Sequence, residues 1–227
     1  MLGATMRGGD VHEWFTPVRD QEGRAARVHA PLGVFMLVAS EALAASEARP
    51  SCVWIGRGVW PNPAAMARVS PRLLRGSIFV DPCGHDERVW AIDLALRARG
   101  VAVVIGDASR LTMSESRRLQ LAAEAGGTLG LLARAWTEAH ELSAARTRWL
   151  VVPSAESGST FDADQRWTVE LLRCKGVRPT SPRIMSGDGG VRRWAARRSH
   201  ATGHVHLVPL SRDRSAPAEA PGRRLGA

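Results

Sequence analysis

Two histidine-containing groups are the best candidates for chemistry in this sequence. His204 and His206 would share one face of a strand, but no cysteine or carboxylate stands near them in sequence to complete a metal site. His85, Asp86 and Glu87 could serve acid–base chemistry, yet the same residues are typical of a helix start with Asp86 as its N-cap. The serines lack a nucleophile-elbow context. We therefore predict no catalytic, cofactor-binding or metal-binding residues, and no cofactor.

Basic residues are the stronger candidates for binding. The chain has 31 basic residues and a net charge of +9, and only Lys175 among them is a lysine. Arginines can neutralise nucleic-acid phosphates, and Trp194 could stack on an unpaired base. On a helix, Arg193 and Arg197 would share a face, as would Trp194 and Arg198. The candidate DNA or partner contacts are Arg134, Arg146, Arg148, Lys175, Arg178, Arg192, Arg193, Trp194, Arg197 and Arg198. A solvated basic surface remains the alternative.

The elements that position these residues alternate along residues 76–136, which read as strand, helix, strand, helix, strand. The β-branched run from Val101 is typical of a strand buried on both faces. Thr112 and Glu115 have the spacing of a capping box, and Gly126–Gly127 would end that helix. This alternation predicts an α/β fold with a mostly parallel central sheet flanked by helices.

Outside this stretch the pattern predicts a helix over residues 31–46 and a strand over Ser51–Ile55. Residues 148–153 and Arg166–Cys174 would pair as a hairpin, and residues 204–210 would form the last strand. The expected organisation is an irregular N-terminal arm over residues 1–30, one domain over residues 31–210 and a disordered tail over residues 211–227.

Composition limits the class of protein. Hydrophobic residues make up 44% of the chain, enough for a core, but no apolar run is long enough to cross a membrane. The first thirty residues are too charged for a secretory signal, and the three cysteines match no zinc or disulfide spacing. We expect a cytoplasmic protein with no membrane partner.

The eight tryptophans divide into two groups. Four lie in periodic elements and are predicted to be core residues: Trp54, Trp90, Trp149 and Trp167. The other four lie in loops or at the ends of elements and are candidate interface anchors: Trp14, Trp60, Trp136 and Trp194.

Three segments carry a family resemblance: SESRRLQLAAEAGGTLGLLAR, SAARTRWLVVPS and RWTVELLRCKGVRP. They closely resemble the ImuA family, which consists of RecA-like proteins of the bacterial SOS mutagenesis cassette. The resemblance covers about residues 76–180 and extends back to about residue 31. It implies a RecA-like core with a C-terminal β-hairpin extension. It also implies an ImuB-like protein and an error-prone DNA polymerase as partners, with RecA and single-stranded DNA as further candidates.

The groups that a RecA-type ATPase needs are largely missing from this sequence. A P-loop requires G-x-x-x-x-G-K-[ST], but the matching segment VHAPLGVF holds only Gly33, and the chain contains no Gly-Lys-Ser/Thr. The position that matches the catalytic glutamate is close to Gly58. Asp107 lies near the Walker B position, although Gly106 aligns closer to it. The resemblance therefore implies a RecA-like fold without ATPase activity.

The function implied by the resemblance is that of a non-catalytic accessory protein in SOS-induced translesion DNA synthesis. Such a protein would bridge the ImuB-like protein, the polymerase and, as a further contact, RecA or single-stranded DNA. Two alternatives remain open. The chain could be a diverged DNA-dependent NTPase, with Arg57 or a residue from a neighbouring subunit replacing the missing positive charge. It could also be a cell-division inhibitor of the SulA type.

Overall fold

The structure is a computed structural model that describes residues 6–17, 28–46, 48–153, 166–176, 193–198 and 205–209. Within these residues, nine strands form one sheet. The strands are β1 (Val11–Phe15), β2 (Ser51–Ile55), β3 (Ser77–Val80), β4 (Val101–Asp107), β5 (Leu129–Arg134), β6 (Thr147–Pro153), β7 (Arg166–Cys174), β8 (Arg193–Arg198) and β9 (Val205–Pro209). The helices are α1 (Leu32–Ala44), α2 (Pro63–Val69), α3 (Pro71–Arg75), α4 (His85–Arg97) and α5 (Met113–Gly126).

The strand order across the sheet is β3-β2-β4-β5-β1-β6-β7-β8-β9. The first six strands in this order are parallel to their neighbours, and the last three add in antiparallel fashion. The predicted α/β class, with its mostly parallel sheet and antiparallel C-terminal extension, is confirmed. No helix in the described part of the chain has the length and apolar character needed to cross a bilayer.

Helices cover both faces of the parallel strands. On one face, Phe35 of α1, Met66 of α2 and Leu73 of α3 are fully buried in a core with Trp54 of β2. On the other face, α4 and α5 contribute a second core that is separate from the first: Val89, Ile92, Leu96, Leu119, Ala122 and Ala123. The β-branched strand β4 lies between the two cores, as expected for a strand covered on both faces.

The position of β1 differs from the sequence expectation. Residues 1–30 read as an irregular arm, but β1 lies within them, between β5 and β6, and all five of its residues are buried. The strand contains His12 and Glu13, which interrupt any apolar run. Both find polar partners more than 120 residues away in the sequence, so local pattern alone could not reveal the strand.

Helix termini follow the sequence in one case and differ in another. The capping box of α5 is present, with Thr112 and Glu115 each bonding to the other's backbone, and Gly127 ends the helix with φ = 63°. The N-cap of α4 is Gly84 rather than the expected Asp86, which lies in the first turn together with Glu87. These two carboxylates still favour the positive end of the helix dipole.

The tryptophan predictions are partly wrong. Trp14 was expected at an interface, but it is fully buried and stacks on Trp149 with ring centroids 5.6 Å apart. Trp90 was expected in the core, but it is 63% exposed on α4. The apolar stripe of α4 that faces the sheet is formed by Val89, Ile92 and Leu96. This leaves Trp90 on the outer face of the helix.

Candidate functional site

The carboxyl ends of β2, β3 and β4 lie side by side, because these strands are parallel neighbours. In open α/β sheets this edge carries the ligand-binding loops. The β2 loop contains Gly56 and Gly58, and the β4 loop contains Asp107 and Ser109. We call this region the carboxyl edge, and it is the part of the fold where nucleotide chemistry would be expected.

Asp107 at the end of β4 is engaged by groups of its own chain. Its Oδ1 accepts hydrogen bonds from the backbone N–H of Ser109 at 3.0 Å and from the Ser109 hydroxyl at 2.7 Å. Its Oδ2 lies 3.8 Å from Nη1 of Arg88, a residue of α4. Arg88 also donates from Nη2 to the Ser109 carbonyl and hydroxyl at 3.3 Å each. A positive charge therefore lies beside one carboxylate oxygen of Asp107, while Ser109 donates to the other.

Glycine occupies both positions that approach Asp107 from the β2 loop. Gly56 has φ = +89°, and a Cβ at this position would come within 3.1 Å of the Asp107 Cβ. A Cβ on Gly58 would stand 3.6 Å from Asp107 Oδ2 and 3.9 Å from the carbonyl oxygen of Val28. The structure thus brings Gly58 next to the carboxylate and places no acidic side chain at that point.

His85, Asp86 and Glu115 form a small polar group beside Arg88. The ring Nε2 of His85 lies 3.0 Å from Glu115 Oε1, and the candidate ligand atoms of the three residues fall within 4.8 Å of one another. Burial alone would raise the pKa of Glu115, but hydrogen bonds from Thr112 and His85 lower it below its usual value. The contact between His85 of α4 and Glu115 of α5 joins the two helices. Glu115 Oε2 also serves the capping box of α5, and Arg88 Nη2 lies 3.5 Å from His85 Nδ1 within α4.

Arg134 and Arg148, two of the candidate DNA contacts, belong to a buried ionic cluster with Glu13 and Glu138. Arg134 donates to Glu13 at 3.2 Å and to Glu138 at 2.9 Å, and its side chain is fully buried. Arg148 donates to the other oxygen of Glu13 at 2.9 Å. The structure contradicts the expectation for these two arginines, because neither guanidinium reaches a surface. A buried charge requires such partners.

The pKa values of the two arginines move in opposite directions. Burial opposes the charge of Arg134, but Glu13 and Glu138 outweigh it and raise the pKa above its usual value. Burial lowers the pKa of Arg148; Glu13 opposes this effect, and the neighbouring Arg134 adds to it. Glu13 therefore compensates two guanidinium groups. The sequence pattern indicated no role for Glu13 or Glu138, although the arginine at the end of the apolar strand LGLLAR was a sign of a buried partner.

The buried ionic cluster extends to the carboxyl edge through Arg110. This residue has φ = 64°, the left-handed region that side chains rarely adopt. Its backbone N–H donates to Glu138 Oε1 at 3.0 Å, while Glu138 Oε2 accepts from Arg134. The cluster thus fixes the backbone of the loop that follows Asp107.

His12 is buried on the opposite face of β1 from Glu13. Trp149 Nε1 donates to the Thr147 hydroxyl at 2.5 Å, and the same hydroxyl forms a hydrogen bond with His12 Nδ1 at 2.6 Å. The other ring nitrogen of His12, Nε2, has no hydrogen-bond partner among the described residues. Burial, with the charge of Arg146 adding to it, lowers the pKa of His12 to about 3, so the ring is neutral near pH 7.

Arg146 and Lys175 are the candidate contacts that the structure does bring together on a surface. Both are exposed, and the backbone N–H of Lys175 donates to the Arg146 carbonyl at 2.8 Å where β6 and β7 pair. Arg173, also exposed, donates to the Ser143 carbonyl at 2.9 Å and lies opposite Arg148 in the hairpin. We call Arg146, Arg173 and Lys175 the hairpin basic group.

The remaining candidate contacts are not brought into one group. Arg193, Trp194, Arg197 and Arg198 lie in β8, which pairs with β7, so the helical spacing considered from the sequence does not apply. Arg178 and Arg192 lie outside the described residues. His206 lies in β9, as the expected last strand requires, whereas His204 lies outside the described residues.

Comparison with known proteins finds similarity to two curated proteins. No protein-family model matches the chain. The chain is 32% identical over 153 residues to Protein ImuA of Caulobacter vibrioides strain NA1000, and equally to Protein ImuA of strain ATCC 19089 of the same species. Each match covers 62% of this chain and 59% of the relative, so the chain spans about three fifths of the length of the curated relatives it matches. The chain is thus similar to these ImuA proteins over part of their length.

Proposed function

We propose that this chain is a non-catalytic accessory protein of SOS-induced translesion DNA synthesis. In this role it bridges an ImuB-like protein and an error-prone DNA polymerase in the cytoplasm, and it contacts RecA or single-stranded DNA. The observation that carries the proposal is the similarity to Protein ImuA. Because the match covers 59% of that relative, the partners are part of the proposal.

The arrangement around Asp107 supports the non-catalytic part of the proposal. A nucleotide-hydrolysing site needs a carboxylate that can serve Mg²⁺, a second acidic group that orients water and a lysine on the phosphates. Here Arg88 and Ser109 engage Asp107, and Gly58 occupies the adjoining position. The single lysine, Lys175, lies next to the β6–β7 pair, away from the carboxyl edge.

The hairpin basic group supports contact with single-stranded DNA. Its three cations are exposed, and they lie at the amino end of β6, at the sheet end opposite Asp107. Phosphate contacts of this kind depend on charge and not on sequence. The surface that would hold DNA is therefore separate from the carboxyl edge.

Complementation tests the proposal in cells. A strain that lacks this gene should lose damage-induced mutagenesis, and both the wild-type chain and the Asp107→Asn variant should restore it equally. Affinity capture of the wild-type chain should recover the ImuB-like protein and the polymerase. If wild type restores mutagenesis and Asp107→Asn, present at the same folded level, does not, the non-catalytic role is wrong. Failure of wild type to complement would reject the pathway itself.

A further inference from the structure

The outer edge of β3 is open and apolar. β3 is the last strand on its side of the sheet and bonds only to β2 within the described part of the chain. Its sequence, Ser-Ile-Phe-Val, contains no charge, no proline and no bulge, the features by which proteins usually protect an edge. Ile78 is 50% exposed and Phe79 is 39% exposed. An edge of this kind is a template for another strand.

Helix α4 packs over β2 and β4, so the open edge is formed by β3 itself. Val89, Ile92 and Leu96 of α4 face the sheet, and Leu94 lies on the outer face of the helix. The Phe79 ring packs against Trp54 and Trp60 on the sheet face opposite α4, and its remaining surface is exposed beside Ile78. We call Ile78 and Phe79 the β3 edge.

Charges of opposite sign lie at the two ends of this edge. At the amino end of β3 the exposed basic residues are Arg75 and Arg99, whereas Arg97 at the end of α4 is paired with Asp93 on the α5 side. At the carboxyl end the exposed acidic residues are Asp81, Asp86 and Glu87. Arg57 neutralises part of this acidic end by pairing with Asp81 at 2.7 Å. The edge is therefore self-complementary in an antiparallel sense, and a parallel partner copy would bring like charges together.

We infer that the β3 edge binds a second copy of this chain through antiparallel β3–β3 pairing across a two-fold axis. The axis stands perpendicular to the sheet, since that operation reverses the strand direction and keeps each face of the sheet continuous. It sets Arg75 of each copy near the acidic end of the other. Such an isologous contact closes on itself as a dimer. The inference does not depend on the proposed function.

The mass of the full-length chain in solution tests the dimer. Light scattering after size exclusion should give twice the protomer mass for wild type and one protomer mass for Ile78→Lys, because a charge on the open edge opposes strand pairing. The matched control is Leu121→Lys, an exchange at a similarly exposed residue (52%) on α5. It should stay dimeric. A wild-type chain that is monomeric at all concentrations, or a dimer that survives Ile78→Lys, would overturn the inference.

Charge exchange tests the antiparallel arrangement and separates it from a general loss of folding. Arg75→Glu and Asp81→Arg should each weaken self-association roughly tenfold or more, because both symmetric contacts become repulsive. An equimolar mixture of the two variants should dimerise again, since every contact in the mixed dimer regains opposite charges. Arg117→Glu on α5 should change nothing. If the mixture fails to associate while both variants remain folded, or if the single variants stay dimeric, the occupant of this edge is not a second copy.

Discussion

The carboxylate of Glu13 accepts a hydrogen bond from the Arg134 guanidinium at 3.2 Å in a place where both side chains are fully buried. The two residues lie on neighbouring strands, β1 and β5, and are 121 positions apart in the sequence. Their pairing explains how a strand with a charged residue can lie in the middle of the sheet. It also connects the core to the loop after Asp107, because Arg134 holds Glu138 and Glu138 holds Arg110.

Removing the charge of Glu13 should destabilise the protein strongly. Glu13→Gln leaves Arg134 and Arg148 buried without their shared counter-ion, which costs about 3–5 kcal/mol. Glu141→Gln is the matched control, since Glu141 also pairs with Arg134 but is half exposed, and it should cost about 0–1 kcal/mol. Urea unfolding monitored by circular dichroism measures both. Equal losses for the two variants would mean that burial of the cluster does not set its contribution.

Acid should destabilise the fold through His12. Its pKa is about 3 in the folded chain against 6.5 ordinarily, so the unfolded chain binds a proton below pH 6.5 that the folded chain does not. This contribution is fully favourable above pH 6.5. It is lost as the pH falls toward 3, at about 1.4 kcal/mol per pH unit.

The comparison of wild type with His12→Asn isolates this effect. Asparagine can donate to or accept from the Thr147 hydroxyl, as a neutral histidine can, but it does not titrate. The free energy of unfolding, measured from pH 4.5 to 7.5, should fall more steeply on acidification for wild type than for the variant. Parallel curves would show that His12 can take up a proton without unfolding.

Substitution by alanine should destabilise the protein at one glycine and leave its stability nearly unchanged at another. A Cβ on Gly126, at the end of α5, would lie 2.0 Å from the carbonyl oxygen of Leu96, so Gly126→Ala forces α4 and α5 apart and costs about 1–3 kcal/mol. Gly100→Ala is the matched control, because no atom lies within 4 Å of its added methyl group. It should be nearly neutral in thermal unfolding. A loss of stability at Gly100 equal to that at Gly126 would contradict the packing of α4 on α5.

The hairpin basic group should govern the salt dependence of DNA binding. The double variant Arg146→Gln/Lys175→Gln should weaken binding to single-stranded DNA. It should also flatten the slope of log affinity against log salt by about 0.7 for each phosphate contact removed. Fluorescence anisotropy with an unstructured oligonucleotide measures both quantities. Arg7→Gln/Arg117→Gln removes the same charge from exposed positions elsewhere. An equal change in slope for the two double variants would point to net charge and not to this surface.

Much of the fold could be predicted from the sequence because local patterns specify it. The β-branched run of β4, the alternation along β7 and the capping box of α5 each depend on residues close in the chain. β1 could not be predicted in this way. Its His12 and Glu13 are compensated by Thr147 and Arg134, which only the folded sheet brings near.

The same reason limits the prediction of the candidate site. The sequence indicated Asp107 and Gly58 as the positions to examine, and the structure places them side by side. The sequence could not show that the Arg88 guanidinium, on α4, would lie beside the Asp107 carboxylate. Nor could it separate Arg134 and Arg148, which are buried, from Arg146, which is exposed, because all three read alike as arginines near strand ends.

The most direct test of the account is phosphate release from ATP by the purified chain, measured with and without single-stranded DNA, for wild type and Asp107→Asn. With Arg88 against Asp107 and glycine at position 58, we predict that both proteins stay at the level of the protein-free blank under both conditions. Sustained release by wild type that Asp107→Asn abolishes would contradict the account.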